Sequence, residues 1–492
     1  MQTTVPGLDN TCDPVSEAPS FGLVVLWSKT EPHRRGEIAF LPTFEVRIVG
    51  RGDDDLRKFV TFGRQRPGEP LLPTRQELAG DSISRRQLSV RATALAVEIE
   101  RLGNCPTVVN GVPLAKDERA TLHPGDTVMF SGEVLLLCVR RHRTLPRLRR
   151  PLALHAFGER DASGIVGESP MAWLLRDELA LAAHSDHHVL ILGESGSGKE
   201  MAAAIVHRQS VRAKGPWVEH NAASFTLSLL ETELSGNSQN FPNPGMPARK
   251  GLLGSADQGT LFFDEIGDCP LEAQTQLLRF LDSGEIKVVG ESIPRRVDVR
   301  MVGATNRDPK SLRQDFFGRF AVNVRIPPLR ERQEDIPLLI HHLLLEHGRK
   351  DPEVAERFFE KGPSGEPQPR ISGTLVDQLV RHSLPLNVRE LRKLVLAAVA
   401  TSAGDVVRMP SSNPSSPPFA VPSGLKKMRE QRKAEDGQAG TPLLTEADLL
   451  ARLERHGWKV SGIANELGKH RNVVYRMMDK YGIKPRLDED GN

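Results

Sequence analysis

Two short stretches carry residue types that could do chemistry together. In the first, Gly193-Glu194-Ser195-Gly196-Ser197-Gly198-Lys199-Glu200, the glycines free backbone N–H groups to curl around phosphate oxygens, and Lys199 can reach the outer phosphates. In the second, Gly259-Thr260-Leu261-Phe262-Phe263-Asp264-Glu265, an apolar run ends in adjacent carboxylates. Such a pair suits a division of labour, with Asp264 holding Mg2+, directly or through water, and Glu265 activating an attacking water. Glu200 stands where a magnesium-binding Ser or Thr is usual, which leaves Asp264 as the metal anchor. The two stretches together read as a nucleoside triphosphate site.

Such a site needs a strand before the loop and a helix after it. Residues 189–192 are apolar and 201–207 read as a helix. From residue 153 to 329, apolar strands alternate with amphipathic helices, the pattern of a parallel α/β sheet. Helical segments continue to about residue 403, interrupted by a Gly/Pro-rich insertion at 361–370. Ahead of this unit, short β-rich runs at 22–27, 36–41, 44–49, 95–99, 128–130 and 133–139, punctuated by Gly, Pro and Asn, predict an all-β sandwich. The domain map is a loose tail (1–20), a sandwich (21–141), a basic linker (142–160), an α/β subdomain (161–329) and a helical lid (330–405). A Ser/Pro-rich flexible linker (406–441) and a compact all-α end (442–486) follow.

Bulk properties exclude more than they assert. At 492 residues the chain is long enough for three or four domains, and a net charge of +3 means any basic surface is local. Cys12, Cys105, Cys138 and Cys269 lack C-x-x-C spacing, so neither zinc nor a disulfide framework is indicated. No apolar run reaches the ~18–20 residues of a membrane span, and residues 1–20 are too polar for a signal peptide. The expectation is a cytoplasmic chain with no membrane partner.

Further motifs run in order along the middle of the chain: Gly167-Glu168-Ser169-Pro170-Met171, Asn221-Ala222-Ala223, Leu230-Glu231-Thr232-Glu233-Leu234, Ala304-Thr305-Asn306-Arg307-Asp308, Pro327-Pro328-Leu329-Arg330-Glu331-Arg332 and Asn387-Val388-Arg389-Glu390-Leu391. With Gly193–Glu200, whose final glutamate is shared, this series resembles the AAA+ ATPase domain of bacterial enhancer-binding proteins, the activators of sigma-54 RNA polymerase. The resemblance implies ATP and Mg2+ as cofactors. It implies that Asn221 restrains Glu265 until nucleotide signals it, and that Asn306 and Arg389 are the first and second nucleotide sensors. It also implies that Arg313 and Arg319 reach into a neighbouring subunit's site, hence a hexameric ring. One departure matters. Where that family carries a G-A-F-T-G-A loop that presses on the sigma factor, this chain reads Asn240-Phe241-Pro242-Asn243-Pro244-Gly245. Two prolines stiffen the loop and remove N–H donors, which does not support the usual sigma-54 contact.

The two ends carry their own resemblances. Ile48-Val49-Gly50-Arg51-Gly52, Ile83-Ser84-Arg85-Arg86-Gln87 and Thr107-Val108-Val109-Asn110-Gly111 resemble the loops of a forkhead-associated (FHA) domain, which binds phosphothreonine peptides. That resemblance makes Arg51, Ser84, Arg85 and Thr107 phosphate ligands, a guanidinium-and-hydroxyl set suited to a dianion, and gives the peptide backbone to Asn110. Gln87 replaces a common structural histidine, Cys105 an expected asparagine, and Asn104 stands one residue early.

At the C-terminal end, Leu449, Leu450 and Leu453 lie on one face of a helix over 446–457, with Thr445 as N-cap. Val460, Ile463, Ala464 and Leu467 mark a second helix, and Val473, Val474, Met477, Met478 and Tyr481 a third. The spacing is that of a helix-turn-helix, similar to the Fis-type end of the same regulators. Lys469, His470, Arg471, Asn472, Tyr475, Arg476 and Lys480 are its candidate DNA contacts. The functional expectation is an ATP-dependent, DNA-binding transcription regulator working with RNA polymerase holoenzyme. The alternatives are action through another sigma factor, repression with ATP setting oligomeric state, or an AAA+ remodeller of another target.

Overall fold

A computed structural model of the chain describes residues 18–409, except 54, 154, 227, 242, 363 and 364, together with 446–456 and 466. Twelve strands come first among the described residues: β1 (Ser20–Ser28), β2 (Ile38–Phe40), β3 (Val46–Val49), β4 (Gly63–Arg64), β5 (Leu72–Pro73), β6 (Leu88–Ala92), β7 (Val97–Arg101), β8 (Thr107–Val109), β9 (Val112–Leu114), β10 (Arg119–Leu122), β11 (Thr127–Phe130) and β12 (Val134–Arg141). They form one sheet in the order β5-β4-β2-β1-β12-β11-β8-β9 and a second in the order β10-β7-β6-β3. Leu23, Val25, Val128 and Leu136 of the first sheet share a core with Val49, Leu88, Val90 and Ile99 of the second.

The apolar runs predicted at 22–27 and 133–139 are continuous because both faces of β1 and β12 are covered. Leu23, Val25, Leu136 and Cys138 point into the sandwich. Their neighbours Val24, Leu26, Leu135 and Leu137 belong instead to a core shared with Leu338, Ile340, Leu379 and Val380 of the helical lid. Side chains alternate across a strand with period two, so an unbroken apolar strand marks two buried faces.

The α/β subdomain follows a helix, α1 (Pro170–His184). It comprises β13 (Val189–Leu192), α2 (Lys199–Arg208), β14 (Trp217–Asn221), α3 (Leu230–Ser235), α4 (Gly251–Ser255), β15 (Thr260–Asp264), α5 (Leu271–Ser283), a β16 (Glu285–Ile286) and β17 (Arg295–Arg296) hairpin, β18 (Arg300–Thr305), α6 (Gln314–Phe317) and β19 (Val322–Arg325). The sheet order is β14-β15-β18-β13-β19, and its paired strands are parallel. The lid holds α7 (Ile336–Lys350), α8 (Pro352–Phe358), α9 (Gly373–Arg381) and α10 (Asn387–Thr401). The insertion predicted at 361–370 falls on a short hairpin, with Phe359–Lys361 paired to Pro367–Pro369. The connector at 142–160 is tied down rather than free. Gln65 Nε2 donates to the His142 and Arg143 carbonyls, and the Arg149 guanidinium meets Asp177 at 2.6 Å.

A separate C-terminal unit contains α11 (Glu446–Arg455), on which Leu449 and Leu453 are fully buried, as its periodicity predicts. The expected N-cap Thr445, the second and third helices and the DNA contacts Lys469, His470, Arg471, Asn472, Tyr475, Arg476 and Lys480 lie outside the described residues. Among the described residues, no helix is long and apolar enough to cross a membrane.

Candidate functional site

The glycine-rich loop lies between β13 and α2 at the carboxyl edge of the parallel sheet, where open α/β sheets bind ligands. Gly198 takes φ +107° at the start of α2, a conformation closed to most side chains, and aims the helix N-terminus at the loop. Lys199 is buried, its Nζ 3.5 Å from Glu265 Oε1. Glu200 is exposed in the first turn of α2, where its charge suits the helix dipole.

Asp264 ends β15, and Glu265 follows it in a left-handed conformation, φ +49°. A non-glycine residue held there is strained, and such strain gathers at functional positions. Asn221 ends β14 directly opposite Asp264, and its Oδ1 accepts from the Ala223 N–H. Three buried oxygens at this edge, Ser197 Oγ, Asp264 Oδ1 and Glu265 Oε2, have no hydrogen-bond partner in the protein. Buried polar atoms are normally satisfied. A hydroxyl on the loop, two carboxylate oxygens and a lysine form a donor set that fits the phosphates and Mg2+ of a bound nucleotide. Asn306 follows β18 and is exposed beside this edge, while the Thr305 carbonyl accepts from the Gly193 N–H.

The lid closes on the loop through Arg389 and through two residues, Asn387 and Arg330, to which the sequence assigned no role. Asn387 is 1% exposed; its amide donates to Glu194 Oε2 (3.1 Å) and the Ser195 carbonyl (3.2 Å), and its Oδ1 accepts from Leu329 N–H (2.8 Å). Arg330 makes a two-pronged contact with Glu194, at 2.6 and 2.7 Å, and these hydrogen bonds hold the Glu194 carboxyl below its ordinary range. Arg389, the expected second sensor, donates to Ser195 Oγ at 3.0 Å. Gly196, at φ +71°, is irreplaceable here, because a Cβ would stand 2.2 Å from the Leu386 carbonyl oxygen. The signal in the sequence was an asparagine opening a helix after a proline, since Asn tolerates the φ of +50° found at 387. Asn387→Ala is expected to cost about 2–4 kcal/mol, from a stranded Leu329 N–H and a strained backbone. A thermal melt checks it: Asn387→Gly should recover the backbone part only, and an unchanged midpoint in both variants would refute the account.

Arg313 and Arg319 point elsewhere within this chain. Arg313 binds Thr275 Oγ1 and Asp315, and Arg319 Nε meets Asp282 at 2.6 Å. Their partners lie on or beside α5 and α6, and both side chains are part-exposed. The loop between α3 and α4 is braced at its base. Asn237, buried, donates its amide to the carbonyls of Ser238, Phe241 and Pro247, and its backbone pairs with Arg249 in both directions. Asn240 N–H binds the Met246 carbonyl, and its side chain accepts from Gly245.

On the sandwich, the predicted phosphate residues divide. Ser84 and Arg85 line an open hollow of about 400 Å³ together with Asp53, Arg86, Asn104 and Lys116. Arg51 is exposed beside it, its N–H bound to the Ser84 carbonyl. Thr107 is buried, and its hydroxyl is engaged by Gln87 Nε2 (3.0 Å) and the Cys105 carbonyl. Gln87 also accepts from Ser84 N–H, so it ties the pocket loop to β8. Cys105 is buried, whereas Asn104, one residue earlier, faces the hollow and accepts from Lys116. Asn110 lies apart, its side chain bound to Asp126 and to Thr127 N–H.

Residues 165–325 match the sigma-54 interaction domain family and 330–412 match an AAA+ ATPase lid domain. The response regulator protein PilR of Pseudomonas aeruginosa is 32% identical over 350 residues, covering 69% of this chain and 74% of that protein. The chain belongs to the sigma-54-dependent enhancer-binding protein family. The chain is also similar to the DNA-binding transcriptional regulator NtrC of Azospirillum brasilense, 38% identical over 290 residues, 56% of this chain and 57% of that one. The Nif-specific regulatory protein of Klebsiella oxytoca is 36% identical over 355 residues, 70% and 63%. A crystal structure of NtrX from Brucella abortus in complex with ATP aligns with 29% identity and a TM-score of 0.44, covering 65% of this chain and 69% of that one. The chain thus spans 57–63% of the length of several of these regulators.

Proposed function

We propose that this enhancer-binding protein is an ATP-dependent, DNA-binding transcription regulator that hydrolyses Mg2+-ATP in a ring of its own copies. The observation that carries the reading is the group of unsatisfied buried oxygens of Ser197, Asp264 and Glu265 beside Lys199. In this reading Gly193–Glu200 cradle the phosphates and Asp264 holds Mg2+. Glu265 takes the proton from the attacking water, with Asn221 restraining it, and Asn306 and Arg389 sense the nucleotide. Mg2+ supplies charge neutralisation on the transferring phosphoryl group. Arg313 and Arg319 act on a neighbouring subunit, and their part-exposed positions on the surface support that role.

The sandwich is the input. It reads a phosphothreonine peptide as an FHA-type domain through Arg51, Ser84 and Arg85, with Asn104 in place of the expected asparagine. Calorimetry on the full chain tests this, and equal binding of phosphorylated and plain threonine peptides refutes it. The residues at 442–486 hold an upstream DNA site, and the protein works in the cytoplasm with RNA polymerase holoenzyme.

A narrower point concerns the output. The bracing of described residues between 237 and 249 by Asn237 and Asn240, with the two prolines in the sequence, supports a stiffened loop in place of the family's sigma-54 contact loop. A reconstituted open-complex assay with sigma-54 polymerase is the test. ATP turnover without promoter melting is the expected result, and robust ATP-dependent melting overturns this part of the reading.

A further inference from the structure

The sandwich meets the lid through an interface built like a domain interior. Val24, Leu26, Ile38, Met129, Leu135 and Leu137 belong to the lid's own hydrophobic core, not to a separate patch. Polar contacts at its margin are buried and matched. Thr127 Oγ1 donates to Asp377 Oδ1 at 2.6 Å, and Asp377 also binds Arg381 of α9. Arg381 in turn donates to the Asn110 carbonyl at 3.1 Å. Arg141 holds both Glu334 oxygens, at 2.7 and 2.6 Å, with side chains 10% and 12% exposed. Trp27 Nε1 donates to the Ile371 carbonyl, and its ring lies so close to Gly373 that a Cβ there would stand 2.8 Å away.

Domains joined by small, polar interfaces move independently by default, and large hydrophobic interfaces remove that freedom. Undocking here would expose a row of apolar side chains on both sides and strand the Arg141–Glu334 pair away from its match. We infer that the sandwich is permanently seated on the lid, so that the two travel as one rigid body through the nucleotide cycle. Regulation by a ligand on the sandwich then works by biasing where the lid stands, not by releasing it. The ligand hollow and the dock lie at opposite ends of β8. Gln87 grips Thr107 at one end, and Arg381 grips Asn110, just past Val109, at the other. Three residues of strand span about 10 Å. At the far side of the lid, Asn387 and Arg389 touch the phosphate loop, so the same body reaches from hollow to loop.

The consequence for the ATP cycle rests on the proposed nucleotide site; the docking itself does not. The test uses the full chain carrying Thr127→Cys and Asp377→Cys, oxidised and reduced, with the crosslink mapped by peptide analysis because Cys12, Cys105, Cys138 and Cys269 are also present. The crosslink is expected to form equally without nucleotide, with ADP and with a slowly hydrolysed ATP analogue, and oxidised protein should turn over ATP as fast as reduced protein. Loss of turnover on oxidation, restored by reduction, would overturn the inference. Hydrogen exchange on the unaltered chain gives an independent reading should the double variant fail to fold. Amides of β11 and α9 should stay protected in every nucleotide state, and deprotection on adding the analogue would show undocking. Absence of nucleotide binding, measured with a fluorescent ATP analogue, would count against the ATPase reading, while protection without nucleotide still reports on the dock.

Discussion

Replacing Glu265 by Gln is expected to slow ATP turnover by about 10²–10⁴-fold, the usual contribution of a positioned general base, while nucleotide affinity holds or rises. The geometry separates the two effects. Glu265 sits after the strand in a forced left-handed turn, with Oε2 unpartnered and Oε1 at only 3.5 Å from Lys199. It is therefore not needed to fix the loop, whose shape comes from its glycines and the lid. Glutamine keeps the volume and removes the basicity, and one carboxylate fewer beside the phosphates lowers repulsion. Steady-state turnover with parallel fluorescent-nucleotide titration checks it. Unchanged turnover would remove Glu265 from the chemistry, and lost binding would make it a structural residue. Lys199→Ala is the contrast, because it should lose the nucleotide itself.

The second large effect is expected to cross a subunit boundary, following the proposed trans role of Arg319. An arginine donated in trans to a transferring phosphoryl group is worth about 10³–10⁵ in turnover. Arg319→Ala should fall by an amount in that range although its own phosphate loop is untouched, since Arg319 engages Asp282 on α5 in its own chain. Mixing decides between a trans role and simple damage. A Lys199→Ala subunit cannot use its own site but still offers Arg319 to its neighbour, and an Arg319→Ala subunit has an intact site and lacks a donor. Each alone should be nearly inactive, and the mixture should regain activity. No recovery on mixing would mean that Arg319 acts within its own subunit or only supports α5.

Much of the candidate nucleotide site is legible in the sequence because its chemistry depends on local spacing. A glycine loop between strand and helix and a carboxylate pair ending an apolar strand are each complete within a dozen residues, and the fold brings them to one sheet edge. What the sequence hid was joined over long separations. Glu194 pairs with Arg330, Asn387 serves Leu329 and Ser195, and Asp335, fully buried, accepts from the backbone of Glu168 and Ser169. No periodicity or spacing rule links such positions.

Strand β6 carries only a weak sequence signal. Leu88, Val90 and Ala92 alternate cleanly with Ser89 and Arg91, but the run is short and follows a polar loop. The sandwich loops were half legible. Spacing located the hollow at Ser84 and Arg85, yet it could not say that Gln87 would draw the Thr107 hydroxyl inward or that the Asn110 carbonyl would face Arg381. In the sequence alone, the continuous apolar runs of β1 and β12 pass for ordinary sandwich strands. Their lack of alternation was the sign that a second layer covers them.

That second layer bears on how such a protein can be assembled from parts. A sensor that swings on a tether can be exchanged between proteins with no change to the engine beneath it. Here half of each side chain set on β1 and β12 completes the lid's interior, so a foreign sensor would have to match Leu338, Ile340, Leu379 and Val380 in shape as well as in signal. Cut free at residue 141, the sandwich would carry an apolar flank made for one place only, the kind of patch that drives aggregation in isolated domains. Sandwich and lid in this chain therefore form one packing problem, and changes on one side of the seam are constrained by the other.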